Sequence, residues 1–168
     1  MEPSDGKVLV QALESHGFTF AAGVPCKSLR GALKHVESGG GGTPMTWLAA
    51  VCEPTAVGAA TGAMLGGGRS VVFMSAAGLG RSLTALWSLS RAAELPLLLV
   101  IATDGDAHQA LPQEHDLGAT TGALLDVLGA GAVHLRAGSI PAQVAEALSQ
   151  MESTRRPVAL LAAGGVLA

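Results

Sequence analysis

The sequence predicts an α/β protein whose open, mostly parallel six-stranded sheet is covered by helices on both faces. Stretches with a strand pattern alternate with stretches of helical apolar spacing along the chain. The composition supports this class, because 49% of the residues are hydrophobic and 23 are glycine, which suits close packing of helices on a sheet. We expect one domain spanning residues 1–168, a length sufficient for a single buried core.

The first half of the chain contains clear start and stop signals. Ser4 is a candidate N-cap for the first helix, Gly17 is its stop, and Pro25 ends the strand that follows. Four consecutive glycines, residues 39–42, predict a surface loop. The apolar segment 45–52 predicts a buried strand that ends at Glu53, and Pro54 suits the first turn of the next helix.

The second half contains the most apolar strand, residues 95–103, whose continuous run is typical of the centre of a parallel sheet. A polar loop from Asp104 to Gln113 follows it. The last helix is amphipathic, and its apolar stripe consists of Ile140, Val144, Leu148 and Met151. In chain order, the predicted elements are helix 4–17, strand 18–25, helix 26–38, strand 45–52, a helix from Pro54, strand 70–75, helix 81–94, strand 95–103, helix 121–130, strand 132–136, helix 139–153 and strand 157–163.

Charge and hydropathy exclude several classes of function. The net charge of -3 offers no basic surface for nucleic acid. Charged residues interrupt the apolar runs before they reach membrane-spanning length, and the opening MEPSDGK is unlike a signal peptide. Cys26 and Cys52 form neither a CxxC pair nor a disulfide framework, so we expect a cytoplasmic protein. Only 14% of residues are charged, which favours a surface partly covered by a partner over scattered apolar surface.

The polar and small residues that could bind a ligand follow the predicted strands. Ligands of such sheets bind beyond the carboxyl ends of the strands. Glu53 is notable there, because a carboxylate in an uncharged stretch is expensive to bury without a partner. The simpler alternative is an acid favoured by the dipole at a helix start. Gly78-x-Gly80 is not a dinucleotide fingerprint, since Leu83 stands where a third glycine is needed, and a tight turn explains it.

Five stretches of the sequence have a distinctive order and spacing. They are AGVPCKSL, EPTAVGAATGAMLGG, VVFMSAAGLGRSLTAL, LPLLLVIA and LPQEHDLGATTGALLDVL. Together they resemble the pyrimidine-binding (PYR) domain of thiamine-diphosphate enzymes. Within that superfamily they look most like the alpha subunit of sulfopyruvate decarboxylase and the matching half of phosphonopyruvate decarboxylase. The resemblance runs from about Leu9 to Leu161.

The resemblance implies a catalytic role for Glu53. In this family a glutamate at that position hydrogen-bonds N1′ of the cofactor's aminopyrimidine ring and so promotes removal of the proton from C2 of the thiazolium. The cofactor supplies the hard organic step, and the protein supplies orientation and proton management. The resemblance also implies cofactor contacts at Val24, Pro25, Gly78 and Leu79.

Half of the expected cofactor site has no counterpart in the sequence. Members of the superfamily hold diphosphate and Mg²⁺ through a Gly-Asp-Gly segment followed by an Asn on a second domain. Asp104-Gly105-Asp106 resembles that segment in part, but the sequence contains no Asn, and 168 residues leave no room for a second domain of similar size. The resemblance therefore implies a separate diphosphate-binding (PP) subunit that carries Mg²⁺, in a hetero-oligomer with two or more copies of each chain. No metal ligand is expected on this chain.

The predicted substrate is a small 2-oxo acid that the sequence does not identify. Relatives read Gln-Asn-Ser before Gly-Leu-Gly-Asn, whereas this chain has Ser75-Ala76-Ala77 before a segment that ends in Arg81, so polar groups are lost and a cation is gained. Lys27 and Arg30 could bind an anionic substrate group, or form a solvated helix face. His115 could be an acid/base or a loop histidine. The expected substrate contacts are Arg81, Ser75, Lys27 and Gln113.

Three functions stay open at this point. The first is the PYR subunit of a thiamine-diphosphate-dependent 2-oxo-acid decarboxylase. The second is a carboligase subunit, because a less polar loop at residues 75–77 would protect a carbanion from protonation. The third is a non-catalytic binding or scaffold subunit in which Glu53 is a helix-start acid. Cys26 and Cys52 have no base beside them in the sequence and are expected to pack or to line the rim of the site.

Overall fold

The computed structural model describes residues 4–38, 45–103 and 112–168, and within residues 112–119 only the helical backbone. A 3₁₀ turn, Lys27–Leu29, precedes α2, and a π-helical segment, Leu86–Arg91, follows α4. The helices are α1 Asp5–Ser15, α2 Arg30–Ser38, α3 Glu53–Leu65, α4 Ala76–Ala85, α5 Pro112–Leu128 and α6 Ile140–Thr154. The strands are β1 Phe18–Gly23, β2 Thr46–Ala49, β3 Arg69–Ser75, β4 Leu98–Ala102, β5 Gly131–His134 and β6 Val158–Ala162.

The six strands form one sheet in the order β2-β1-β3-β4-β6-β5, and every adjacent pair is parallel. This arrangement confirms the predicted α/β class with six parallel strands. All five residues of β4 are buried, as expected for a strand between two neighbours and under two helical layers. Strand β6 lies between β4 and β5, so the last strand in sequence is internal and β5 forms one edge.

Two apolar clusters cover the two faces of the sheet. Because successive side chains of a strand point to opposite faces, Phe73 belongs to one cluster and its neighbours Val72 and Met74 to the other. Helices α1, α2 and α6 bury the first cluster, and α3, α4 and α5 bury the second. The stripe predicted on α6 is confirmed, since its four residues are all buried in the first cluster.

The connections change face beside β1. Helix α2 leads from β1 outward to β2 across the first face, whereas α3 leads from β2 back past β1 to β3 across the second. Such a switch point opens a crevice at the carboxyl ends of the two flanking strands, here β1 and β3. The topology therefore directs Val24, after β1, and Ser75, at the end of β3, to the same part of the rim.

The expectation of a buried strand over residues 45–52 is wrong in two respects. Strand β2 covers only Thr46–Ala49, and most of its residues are exposed, because it forms an edge of the sheet in this chain. After Ala50, whose N–H donates to the carbonyl of Gly23 at 2.8 Å, the backbone leaves the sheet. Val51 is then 93% exposed, and Glu53 begins a helix without ending the strand.

Helix α4 begins earlier than the sequence pattern predicts. The hydroxyl of Ser75 accepts a hydrogen bond from the N–H of Gly78 at 3.3 Å, which caps the helix directly at the end of β3. Gly78 and Gly80, which the pattern placed before the helix, are therefore helical, and Arg81, the predicted first residue of the helix, is the sixth residue of α4. The end also differs, since a π-helical turn replaces the last part of the predicted helix, with the N–H of Ala92 donating to the carbonyl of Trp87.

Two loop predictions lie outside the described residues, namely the glycine segment 39–42 and residues 104–111 of the predicted polar loop. Gln113, the predicted end of that loop, belongs to α5, which starts at Pro112. Among the helices of the described ranges, none has both the length and the apolar character needed to cross a bilayer.

Candidate active site

Glu53 lies at the rim as the first residue of α3. Cys52 has extended backbone angles and forms the N-cap position, and Pro54 occupies the first turn, where its missing N–H is no loss. Glu53 is only 3% exposed, although it carries a carboxylate. A buried carboxylate requires compensation by hydrogen bonds or an opposite charge, so the groups around it define the site.

Arg81 of α4 provides that compensation. Its Nε donates to Oε2 of Glu53 at 3.0 Å, and its Nη2 donates to Oε1 at 2.7 Å. This is a side-on bidentate pair, the arrangement in which guanidinium and carboxylate geometry match best. The two partners differ strongly in exposure, since the Glu53 side chain is 4% accessible and the Arg81 side chain 57%. The carboxylate thus lies below a guanidinium that faces solvent.

The pair controls the ionisation of Glu53. Burial disfavours the charged form, but the hydrogen bonds from Arg81, the N–H of Glu53 itself and the positive charge of Arg81 outweigh it and lower the pKa of Glu53. The same hydrogen bonds raise the pKa of Arg81. Glu53 is therefore an ionised carboxylate at neutral pH in this arrangement.

Gly78 lies directly against the Glu53 side chain. A Cβ atom at this position would lie 2.6 Å from Cγ and 2.7 Å from Oε1 of Glu53, so any other residue would force the Glu53 side chain to shift. Two residues on, a Cβ at Gly80 would meet nothing within 4 Å. The absence of a side chain at Gly78 therefore leaves one flank of the Glu53 carboxylate walled by backbone, which fits the expected role of Gly78 at a tightly fitted site.

The remaining predicted cofactor and substrate residues differ in how they could act. Val24 is half-buried and Pro25 exposed, directly after β1. The Ser75 hydroxyl accepts the N–H of Gly78 in the α4 cap. Leu79 is fully buried in the second apolar cluster, so its side chain belongs to the core and any ligand contact would involve its backbone. The roles of these four residues stay predictions.

Lys27 and Arg30 lie beside the same rim, along an open groove of about 390 Å³. Both side chains are exposed, and Lys34 and Glu37 also line the groove. Their surroundings are compatible with an anionic ligand and with a solvated helix face, so the predicted substrate role is untested. A narrower cleft of about 80 Å³, which Phe18 and Arg69 help to line, lies at the opposite, amino ends of the strands.

The predicted substrate residue Gln113 and the predicted acid/base His115 belong to the backbone of α5, and their side chains lie outside the described residues. The two cysteines are free thiols. Burial raises the pKa of Cys26, whereas the side-chain and backbone hydrogen bonds of Thr55 lower the pKa of Cys52, whose Sγ is 3.2 Å from Oγ1 of Thr55. Both flank Glu53 closely enough for its charge to act on them.

The sequence analysis missed the pairing of Glu53 with Arg81, because it assigned Arg81 to the substrate. A signal for the pairing was present. Glu53 is the only charged residue between positions 45 and 68, and Arg81 is the only one between positions 70 and 90. Opposite charges at the starts of two helices on the same face of one sheet are natural partners.

Comparison with known proteins identifies the family. The chain is 31% identical over 119 residues to the alpha subunit of sulfopyruvate decarboxylase from Methanocaldococcus jannaschii, a match that covers 71% of this chain and 69% of that protein. The chain belongs to the family of this subunit. The alpha subunit from Methanococcus maripaludis is similar, with 27% identity over 122 residues, which cover 73% of this chain and 71% of the relative.

Two further proteins are similar to the chain over part of their length. Phosphonopyruvate decarboxylase from Streptomyces viridochromogenes is 36% identical over 121 residues, 71% of this chain but 30% of that enzyme. A solved structure of 2-oxoglutarate:ferredoxin oxidoreductase from Magnetococcus marinus is also similar, with a TM-score of 0.72 and 16% sequence identity. The match covers 98% of this chain and 29% of the oxidoreductase chain. At this identity the likeness supports the fold alone. No family model matches the sequence. The predicted resemblance and fold class are confirmed, and the named relatives are decarboxylases or their subunits.

Proposed function

We propose that this chain is the PYR subunit of a heteromeric thiamine-diphosphate-dependent 2-oxo-acid decarboxylase, and that Glu53 activates the cofactor. The observation that carries the proposal is the buried carboxylate at the switch point of the sheet. A scaffold protein gains nothing from a carboxylate that needs an arginine to stay buried. Membership of the sulfopyruvate decarboxylase alpha-subunit family supplies the reaction class.

The described residues fit the aminopyrimidine half of thiamine diphosphate. A ring nitrogen needs one carboxyl group in a water-poor setting, and Glu53 is such a group. The absence of a side chain at Gly78 leaves space for the Glu53 carboxyl group beside the backbone of α4, so a ring could reach the carboxyl oxygens only from the side that Arg81 covers. The bound cofactor would supply a nucleophilic carbon and an electron sink for decarboxylation. Glu53 would hold or release the proton at the ring nitrogen, and Val24 and Pro25 would orient the ring.

A partner polypeptide would complete the site by holding the diphosphate and Mg²⁺. Among the described residues, no three His, Cys, Asp or Glu side chains are grouped to hold a metal ion. The sequence also contains no Asn for the metal motif of the superfamily. The M. jannaschii and M. maripaludis relatives are each named as a subunit of their enzyme, which favours a split site and a hetero-oligomer.

A carboligase is the second candidate, and a specific feature of the rim favours it. The hydroxyl of Ser75 accepts the N–H of Gly78 in the helix cap and keeps its own O–H as a donor, whereas Ala76 is buried and Ala77 offers no polar group. Residues 75–77 therefore present a single side-chain proton donor. A product assay with an added aldehyde or ketone acceptor separates the two reactions. Decarboxylation without ligation would release CO₂ and a free aldehyde one carbon shorter than the 2-oxo acid.

The decisive experiment is Glu53→Gln in the complex of this chain with its PP subunit. The amide is nearly isosteric and can still accept a hydrogen bond from Arg81, so folding and assembly should survive. Loss of the exchangeable proton should slow hydrogen–deuterium exchange at cofactor C2 and turnover by roughly 10²–10⁴. Glu152→Gln is the matched control, because Glu152 is also paired with an arginine, Arg69 at 3.3 Å, but lies on the exposed surface. Unchanged exchange in Glu53→Gln would reduce Glu53 to a structural acid.

A further inference from the structure

Arg81 and Glu53 form an asymmetric pair. Nearly all of the Glu53 side chain is shielded, and more than half of the Arg81 side chain is accessible. Exposed arginines reorient readily because solvent replaces their partners, whereas a carboxylate fixed at the first residue of a helix, with backbone on one flank, cannot follow. In any exchange of partners, Arg81 is therefore the group that moves.

The pair also leaves little room for a second partner on Glu53. Both oxygens accept a guanidinium N–H, at 2.7 and 3.0 Å, and the remaining accessible surface of the side chain is 4% of its full value. A ring that reached Oε1 or Oε2 from solvent would meet Arg81 first. Arg81 and a planar ligand consequently compete for the same carboxylate.

Protonation makes the competition sharper. A neutral pyrimidine nitrogen is a hydrogen-bond acceptor, so its bond to a carboxyl group requires a proton between the two atoms. Arg81 stabilises the ionised form of Glu53, in which the carboxylate only accepts. A carboxyl group that has taken a proton from solvent can donate to the ring, but it no longer offers a charge to the guanidinium. The two states of Glu53 thus select different partners.

We propose that Arg81 is an exchangeable cap on Glu53, which closes the carboxylate in the free chain and is displaced by the pyrimidine ring of the cofactor. This inference rests on the proposed function. It differs from the substrate role predicted for Arg81, since the guanidinium acts on Glu53 before any substrate binds. After displacement the guanidinium would point to the open rim, where it is free to meet an anion.

The first measurement establishes the cap in the free chain. The carboxyl carbons are labelled with ¹³C, the Glu53 signal is assigned by its loss in Glu53→Gln, and its pKa is followed by NMR in the wild type and in Arg81→Met. We expect the pKa to rise in the variant, above the ordinary glutamate value, because burial remains and the cation is gone. An unchanged pKa would overturn the proposal. Arg81→Lys, which keeps the charge without the bidentate geometry, should fall between the two and serves if Arg81→Met does not fold.

The second measurement tests displacement, through the dissociation constant of thiamine diphosphate for the complex with the PP subunit. Arg81→Met should bind the cofactor more tightly, on the order of 10-fold, because no ion pair must be broken. Arg69→Met is the matched control: it removes an arginine–glutamate pair at the opposite end of β3 and should leave the affinity unchanged. Equal or weaker binding by Arg81→Met would overturn the cap. If neither wild type nor variant binds while the pKa difference persists, the proposed function has failed, and the displacement step fails with it.

Discussion

At the scale of single residues, the site rests on one carboxylate whose environment decides its chemistry. Glu53 would be an ordinary helix-start acid if it were exposed, stabilised by the dipole by about 0.3–1 kcal/mol. Its burial and its bidentate contact with Arg81 change this assessment, because both oxygens are engaged by a single mobile cation. The ion pair with Arg81 compensates for the burial of the Glu53 charge. The same ion pair occupies both carboxylate oxygens, so a ligand can bind them only after Arg81 has moved.

The pair predicts an acid-dependent loss of stability. Because the folded pKa of Glu53 is lowered, the pair stabilises the fold fully above the unfolded pKa, about 4.3 for glutamate, and this contribution is lost as the pH falls through the folded pKa. Cys26 and Cys52, which also feel the charge of Glu53, titrate far above this window. Denaturant titrations from pH 6 downwards should show a weaker pH dependence for Glu53→Gln than for the wild type. If the free energy of unfolding of the two proteins fell equally with pH, Glu53 and Arg81 would not form an ion pair in solution.

The sequence was sufficient to select Glu53 but not to give its partner. An isolated carboxylate in an apolar stretch is recognisable from the sequence alone. The cap at Ser75 starts α4 early enough to place Arg81 on the helix, and Gly78 leaves space for the Glu53 side chain beside it. That geometry depends on the packing of two helices on the sheet, which local sequence patterns do not encode.

At the scale of elements, α3 combines a catalytic candidate at its start with glycines in its middle. A Cβ atom at Gly58 or Gly62 would meet nothing within 4 Å. Glycine inside a helix is unfavourable by about 1 kcal/mol relative to alanine. The helix therefore retains glycines that neither a turn nor a contact within the described chain requires, which agrees with close approach by a partner chain.

Gly62→Ala tests this interpretation. In the free chain the substitution should raise the free energy of unfolding by about 0.5–1 kcal/mol, as for an exposed helix position. In the complex with the PP subunit the added methyl group should weaken assembly. Gly6→Ala is the control for a tightly packed glycine, because its Cβ would lie 2.5 Å from the backbone of Gly31 and should destabilise the chain. If Gly62→Ala stabilised the chain and did not weaken assembly, this face of α3 would be exposed to solvent in the complex and not packed against a partner chain.

The predicted elements were most accurate where a strong local signal exists and weakest at sheet edges. Ser4 caps α1, with its hydroxyl 3.4 Å from the N–H of Lys7, and the apolar run of β4 forms a central strand, as predicted. Strand β2 has a similar apolar pattern but lies at an edge. The hydrophobic pattern of a strand does not tell whether the strand lies at the centre or at the edge of its sheet, which explains the error at β2.

At the scale of the whole molecule, the described residues form one parallel sheet covered by helices on both faces. The predicted strand count and parallel direction are confirmed, because alternation of helix and strand leaves few arrangements of right-handed crossovers. The strand order depends on which face of the sheet each connecting helix covers. The hydrophobic pattern does not contain this information, so the order could not be predicted from it. The observed order puts the switch point between β1 and β3, beside the candidate site.

The proposed division of the site between two polypeptides predicts that the purified chain is inactive by itself. Without the groups that hold diphosphate and Mg²⁺, it should bind thiamine diphosphate weakly, with little cofactor-dependent change in melting temperature. Addition of the polypeptide that carries the Gly-Asp-Gly and Asn motif should restore both binding and turnover of a 2-oxo acid. Measurable decarboxylation by this chain alone, at the same cofactor and Mg²⁺ concentrations, would contradict the split-site proposal.

The bare edge at β2 has a consequence for how this protein behaves in the test tube and in the cell. Along the described residues β2 pairs with β1 alone, and its outer backbone groups are left to water. Proteins usually protect such an edge with lysine, proline or a bulge, but Thr46–Ala49 contains no charge and no proline, and Leu48 and Val51 are exposed beside it. A copy whose edge stays uncovered is therefore expected to pair this edge with that of a neighbouring copy and to aggregate. Under the split-enzyme proposal, balanced synthesis of this chain and the PP subunit would then matter for proteostasis as well as for catalysis.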